Sequence, residues 1–474
     1  MREMLAGAVA TFALIPEVIA FSFVAGVDPQ VGLYASFVIG IVIAFSGGRP
    51  AMISAAAGSV ALVAAPLVHA HGLPYLLAAG LLAGVIQIVF GLLRLGVLMR
   101  FVSKSVRTGF VNALAILIFA AQLPHILGGG WATYALLAAG VAIIYLMPRI
   151  TTAIPSPLIC ILVLTVAAVA LHLPVATVAD LGKLPDSLPV FGLPAVPATL
   201  ETLEIIAGPA LAIAMVGLLE SMMTASVVDD LTDTPSSKNR ECSGLGIANL
   251  AASLFGGIAG CGMIGQTVGN VKYGGRGRLS TLFAGAFLLI LMVLLRPWVS
   301  QVPVAALVAI MVTVSVDTFD WSSLRALVVH PKTSSIVMLA TVLVTVFSAN
   351  LALGVTVGVL LSGVFFTFKV ARLLKVAVEE DAVTGRLTYR VSGQVFFASS
   401  DVFVEAFDIQ GAIGRPVTID VSEAHFWDIT AVAALDRVVQ RFQAHGVSAE
   451  VRGLNRASST LIESLDSPVA ALQG

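Results

Sequence analysis

Apolar runs close to the roughly 20 residues that a membrane-spanning helix needs recur through residues 1–375. In the first part of the chain they cover Leu5–Ala25, Val31–Ser46, Leu73–Leu93, Thr108–Leu123, Trp131–Met147 and Ile154–Leu171. A second series follows at Leu203–Val227, Ser243–Ala259, Leu279–Leu295, Val302–Val316, Ser334–Ser348 and Leu351–Phe368. Two further stretches, Ala51–Ala70 and Gly260–Lys272, are rich in small residues and too broken for ordinary spans; with them the total is about fourteen membrane segments. After Lys375 the pattern changes. Arg386–Val391, Pro416–Val421 and Val447–Val451 read as strands, and Ala457–Leu465 as a helix. Thr430–His445 places Val432, Leu435, Val438, Val439 and Phe442 at helical spacing. Strands alternating with helices predict a small α/β domain over 376–474, behind an all-α polytopic membrane domain over 1–375.

Composition supports the membrane reading. Charged residues make up 11% of the chain, less than half the roughly 25% of a soluble domain. Hydrophobic residues make up 58% and the mean hydropathy is +1.00, more apolar surface than one soluble core hides. A net charge of -1 gives no field that would attract nucleic acid. Cys160, Cys242 and Cys261 lie far apart without metal-ligand spacing and read as reduced packing residues, and the seven histidines form no paired-ligand pattern. No nucleophile–base or metal constellation points to an enzyme, and no cofactor is implied. The first apolar run begins at Met4, passes Ala25 and contains Pro16 and Glu17, so it is too long and too polar for a cleavable signal.

Charge placement sets a topology. With an even number of spans and the C-terminal domain inside, inner loops carry Arg49; Arg94, Arg100, Lys104 and Arg107; Arg149; Lys238 and Arg240; Lys272, Arg276 and Arg278; Arg325 and Lys332; and Lys369, Arg372 and Lys375. Outer loops keep only Lys183 and Arg296. This follows the positive-inside rule and predicts an inner (plasma) membrane protein with both termini cytoplasmic. The segment Pro174–Glu201 becomes an external loop.

The two broken stretches carry candidate chemistry. AMISAAAGSVALVAAPLVHA and GCGMIGQTVGNVK each follow a glycine pair, Gly47–Gly48 and Gly256–Gly257. If the membrane domain divides into halves of seven segments, each stretch is the third segment of its half, the matched placement that marks a transporter binding site. A helix beginning in mid-membrane leaves its first N–H groups unpaired, and these donors with the positive dipole end favour an anion. The starts are placed at Ala57, Gly58 and Ser59, and at Gly265, Gln266 and Thr267, with the Ser59 and Thr267 hydroxyls and the Gln266 amide as added hydrogen-bonding groups. The alternative is that these small residues only let helices pack closely.

Two acids lie inside predicted spans, Glu17 and Glu220. Intramembrane carboxylates are costly and commonly functional, as proton carriers or cation ligands. Thr224, four residues after Glu220, shares its helix face, so the pair could present a carboxylate and a hydroxyl to one cavity. Glu220 is the leading coupling-ion residue; for Glu17 an orienting role comes first. Phe21, one turn past Glu17, lines a pocket or the core. Asp229, Asp230 and Asp233 are expected to be solvated at a helix end.

Ile15–Ser36, Phe101–Leu117, Gly217–Thr232, Asn239–Gly260 and Gly265–Ser280 together resemble the SulP (sulfate permease) family of anion transporters, and Val395–Phe403 with Thr418–Asp436 resembles its STAS domain. The resemblance implies 7+7 inverted repeats, nucleobase-permease-like core and gate domains, substrate between the third and tenth segments, and a homodimer. It places the family's pocket aromatic on Phe21 and its eighth-segment acid on Glu220. Within this resemblance, vertebrate relatives often carry Arg at Gln266, the PQ-type motif usually has Gln at Glu17, and sodium-coupled bicarbonate relatives have Asp at Glu220; the longer acid at Glu220, without further obvious ligands, implies proton over sodium coupling and the branch that moves dicarboxylates such as fumarate. The STAS phosphoacceptor position falls on Thr430, after Asp428, but Ile429 and Ala431 depart from the DSSG-type pattern. Thr430 is therefore expected to cap a helix. The leading function is proton-coupled symport of a small anion. A sodium-coupled bicarbonate or sulfate symporter, a nucleobase permease, and a non-transporting sensor or scaffold remain as alternatives.

Overall fold

The computed structural model describes residues 2–97, 102–150, 156–329, 331–348 and 350–465. Arg100, the start of the span expected from Ile154, and 466–474 of the C-terminal domain lie outside these residues. The chain forms two compact units, Met1–Val359 and Leu360–Gly474.

The first unit opens with α1 (Arg2–Val24) and α2 (Pro29–Ser46). The first broken stretch follows as a strand, β1 (Ser54–Ala56), and a helix, α3 (Gly58–His71). Next come α4 (Leu73–Leu92), α5 (Lys104–Leu127), α6 (Trp131–Leu146) and α7 (Ser156–Ala170). The segment expected as an external loop contains one short helix, α8 (Val178–Leu181). The helix α9 (Leu200–Thr232) has 33 residues, longer at both ends than its apolar run, because Thr199 caps its start at Thr202 N–H. After α10 (Lys238–Leu254) the second broken stretch gives β2 (Gly260–Gly262) and α11 (Ile264–Lys272). The unit continues through α12 (Arg278–Val299), α13 (Val304–Thr318), α14 (Ser322–Val329) and α15 (Lys332–Ser348). The last helix, α16 (Leu351–Ala371), crosses the division between units. Among the described residues nine helices are long and apolar enough to cross a membrane; the helices of α3, α7 and α15 are apolar but shorter.

The α10 helix stops five residues before the expected end at Ala259. Gly256 adopts φ +73°, a left-handed turn that side chains avoid. At Gly257 an added Cβ would fall 2.6 Å from the Ala35 backbone, so the chain can turn here only with glycine.

The helices pack as two sets. In one, α4, α9 and α10 pack together, α2 lies against α10 and α12, and α1 against α12 and α11. In the other, α5 packs on α13 and α15, and α6 on α13 and α7. Asp229, near the end of α9, departs from the solvated state expected of it. Arg49 contacts it at 3.0 Å and Lys238 at 2.8 Å, two cations that offset an acid at the negative end of a helix dipole.

The second unit carries a four-stranded sheet in the order β3 (Lys375–Glu380), β4 (Leu387–Val395), β5 (Val417–Phe426), β6 (Ala449–Arg452). The first pair is antiparallel and the others parallel. With α17 (Ser400–Glu405), α18 (Ile429–Ala444) and α19 (Arg456–Ser464) it encloses Tyr389, Phe403, Phe426 and Phe442. The α18 residues at helical spacing, Val432, Leu435, Val438, Val439 and Phe442, all face this core. The cap of α18 is Asp428. Its Oδ1 accepts Ala431 N–H and its Oδ2 accepts Phe397 N–H, both at 2.8 Å. Thr430, expected in that role, sits in the first turn with its side chain exposed, because helical geometry begins at Ile429.

Candidate functional site

Irregular backbone at membrane depth needs a partner for every N–H and C=O. Here the two broken stretches first satisfy each other. β1 and β2 pair antiparallel, Ser54 with Gly262, Ala55 with Cys261 and Ala56 with Gly260. Because the strands run in opposite directions, α3 and α11 leave opposite ends of one short ladder.

Side chains from neighbouring helices complete the account. Ser36 Oγ accepts Ala56 N–H at 3.1 Å, and Ser221 Oγ accepts Gly262 N–H at 2.9 Å. Asn249, fully buried on α10, accepts from Gly260 N–H at 2.8 Å and donates to Gly260 O at 3.1 Å and Gln87 Oε1 at 2.9 Å. Asn270 Nδ2 donates to Ala51 O at 2.8 Å, and Thr281 Oγ1 to Met52 O at 3.1 Å. None of these polar residues was singled out by sequence reasoning. Their only signal is a polar side chain in an apolar helix, and which backbone atom each one meets depends on the tertiary fold.

Two of the predicted site residues belong to this scaffold. Thr267 Oγ1 accepts Ile53 N–H at 2.9 Å and also contacts Ile53 O, so its hydroxyl ties one broken stretch to the other instead of facing a cavity. Thr224 Oγ1 donates to Gly262 O at 2.8 Å and to Glu220 O at 2.9 Å, so it faces β2 and not the space that Glu220 reaches. Ala57 is the residue before α3, fully buried and outside the cavity lining.

The other predicted residues meet around one cavity of about 530 Å³ between the two helix sets. One set contributes Glu17 and Phe21 from α1, Gly58 and Ser59 from α3, Glu220 and Met223 from α9, and Gly265 and Gln266 from α11. The other contributes Phe110 and Leu114 from α5 and Thr313 and Asp317 from α13. Sequence reasoning missed Asp317, which accepts a hydrogen bond from Tyr145 Oη at 3.3 Å. No Lys, Arg or His is among the described lining residues.

Within the cavity, Ser59 Oγ donates a short hydrogen bond to Glu220 Oε2, and Cys261 Sγ lies 3.9 Å from the same hydroxyl. The first broken stretch is therefore linked to an acid on a continuous helix. Glu17 and Gln266 line the same cavity. The helix starts are chemically bare. Neither Ala57 nor Met263, the residue before each helix, supplies a side-chain cap, and the first intrahelical bonds begin at Ala61 N–H and Thr267 N–H. Gly58 is closed in, since an added Cβ would lie 2.7 Å from the Phe21 ring, whereas the space beside Gly265 is open.

The fold and this cavity define a multi-pass, mostly helical membrane transporter with an appended α/β domain. Residues 1–138 and 129–341 match the sulfate permease family, and residues 375–466 match the STAS domain. The chain belongs to the sulfate permease family. It is 53% identical over 464 residues to a Bacillus subtilis protein named "Putative sulfate transporter YbaR", covering 98% of this chain and 96% of that one. The solved transmembrane domain of a cyanobacterium bicarbonate transporter, BicA, has a TM-score of 0.68 at 26% identity, covering 76% of this chain and 97% of that one. Murine Slc26a9, an anion transporter in the inward-facing state, has a TM-score of 0.87 at 17% identity over 100% of this chain and 89% of its own, a likeness of fold.

Proposed function

We propose that this chain is a secondary active transporter of a small anion, which it binds between the starts of α3 and α11 and carries by alternating access. The observation that carries the reading is a cavity with two uncapped helix N-termini and no basic side chain among its described lining residues. The remaining source of positive potential there is the backbone, the arrangement expected where half-helices receive an anion. Gly58, Ser59, Gly265 and Gln266 form the anion end of the site and Phe21 its wall. The paired placement of the broken stretches fits fourteen segments in 7+7 inverted repeats, with the α1–α4 and α9–α12 set as core and the other set as gate. A homodimer, a 1–375 transporter domain, a cytoplasmic 376–474 STAS domain and cytoplasmic termini complete this reading.

The same cavity holds three carboxyl groups, Glu17, Glu220 and Asp317. An anion entering beside ionised acids is repelled, so a cation must enter with it. We assign this role to a proton on Glu220. Its Oε2 is occupied by Ser59 and its other near neighbour is the Cys261 thiol, a poor surrounding for sodium, which prefers several oxygen ligands. Thr224 acts through the backbone that holds Glu220, and Glu17 orients Gln266. The relatives' names favour sulfate or bicarbonate as cargo; the sequence departures favour a dicarboxylate such as fumarate. An uptake panel in liposomes with sulfate, bicarbonate, fumarate and uracil, driven by a pH or a sodium gradient, tests both parts. Uptake of one anion driven by the pH gradient is expected. Uptake driven only by sodium overturns the coupling assignment, and uracil uptake without any anion overturns the substrate class.

A further inference from the structure

A second polar cavity of about 510 Å³ lies where the starts of α5, α14 and α15 converge. It is separate in its lining from the central cavity and contains two basic side chains, Lys104 and Arg325. Neither makes an ion pair or a side-chain hydrogen bond among the described residues, although Arg386, Arg390, Arg415 and Arg452 in the other unit all do. Thr108, Ser323 and Ser334 add hydroxyls. Ser323 is 2% exposed, and its Oγ already accepts Asn112 Nδ2 at 2.8 Å, so its own proton is free for an occupant. The one acid in the lining, Asp320, is turned to local use. Its Oδ1 accepts both the N–H and the hydroxyl of Ser322. Two exposed cations against one carboxylate, itself bonded to Ser322, leave the cavity with an excess of positive charge.

We propose that this cavity is a second anion-binding site, taking a phosphate group between Lys104 and Arg325. A tetrahedral oxyanion matches the donors present: a guanidinium fork, an ammonium and clustered hydroxyls. The group could be carried by an anionic lipid or be free phosphate. Lys104 begins α5 and Arg325 lies in α14, both in segments that the charge distribution assigns to the cytoplasmic side, where anionic headgroups attract basic residues.

The site is connected to the central cavity through α5 and α13. On α5, Lys104 and Thr108 line the phosphate cavity, while Phe110 and Leu114 line the central one, a few residues further along the same helix. Asn112 sits among these residues, donates to Ser323 and accepts Asp320 N–H at 2.8 Å. Asp320 in turn lies two residues past the end of α13, whose Asp317 lines the central cavity. An occupant that draws Lys104 and Arg325 together fixes α5 relative to α13 and α14.

The test uses the purified full-length chain in detergent. Binding of a short-chain phosphatidic acid is measured by native mass spectrometry, and of inorganic phosphate by equilibrium dialysis. The variant K104Q/R325Q is compared with wild type, with the charge-preserving K104R/R325K as a folding control and Arg149→Gln as a control for general basicity. At least a tenfold loss of affinity in K104Q/R325Q, with binding retained in both controls, is expected for one or both probes. Loss for phosphatidic acid alone identifies a lipid as the source; loss for both identifies the phosphate group itself. Equal binding by wild type and K104Q/R325Q, or no binding of either probe by wild type, overturns the proposal.

Discussion

The two glycines at the helix starts separate steric from chemical roles. Gly58→Ala places a methyl 2.7, 3.1 and 3.2 Å from three carbons of the Phe21 ring. Contacts below 3.0 Å force a shift, and Phe21, carried on α1, is 3% exposed, so it has little room to retreat. Overpacking of this kind costs about 1–3 kcal/mol. Alanine recovers at most about 0.5–1 kcal/mol of helix propensity at this first helical position, leaving a net cost of about 0–2.5 kcal/mol. Phe21 lines the cavity, so a ring pushed aside by Gly58→Ala narrows the space in front of both helix starts. Uptake in liposomes should fall at least tenfold, with a lower thermal unfolding midpoint in detergent. Gly265→Ala meets nothing within 4 Å. It should unfold at or above the wild-type temperature, and any loss of uptake then comes from a methyl standing where the anion sits. Wild-type uptake and stability in Gly58→Ala would refute the packing reasoning, and a destabilised Gly265→Ala would show that its surroundings are not open.

Further outcomes follow from the same contacts. Glu220→Gln keeps a hydrogen-bonding group for Ser59 but cannot carry a proton; pH-driven uptake should be lost while anion exchange at equal pH persists, read by counterflow in liposomes. Thr267→Val leaves Ile53 N–H unpaired in a buried position, at a cost of about 1–3 kcal/mol, and should lower the thermal midpoint of the membrane domain. Asp428→Ala removes acceptors from both Ala431 and Phe397 N–H and should cost about 1–2 kcal/mol, seen as faster hydrogen exchange at those two amides in the full-length protein.

The hydropathy pattern marks the long helices because an apolar run near 20 residues has few other uses. The helix starts at Gly58 and Ile264 are legible for a related reason: small residues and glycine pairs interrupt otherwise apolar stretches, and a break at membrane depth demands special partners. The three-residue strands β1 and β2 are not legible. SAA and GCG show no alternation, and their pairing is a tertiary event between residues about 200 positions apart. Spacing placed Thr224 on the Glu220 face, but a four-residue offset does not say whether a hydroxyl points to a cavity or to a neighbouring carbonyl; Gly262 O decides it. Asp317 sits at the end of its apolar run and reads as an ordinary helix terminus until α13 packs against α5. In the STAS domain, β3 is KVAVEE with mostly exposed side chains, so no buried face marks it as a strand; only pairing with β4 does.

The central claim is that backbone amides at two helix starts hold the anion, and an experimental structure of the full-length chain with its transported anion bound tests it most directly. The account predicts the anion within about 3 Å of first-turn N–H groups on both α3 and α11, in the space bounded by Phe21, Ser59 and Gln266. An anion held instead by Arg or Lys side chains, or lying away from either helix start, would contradict it.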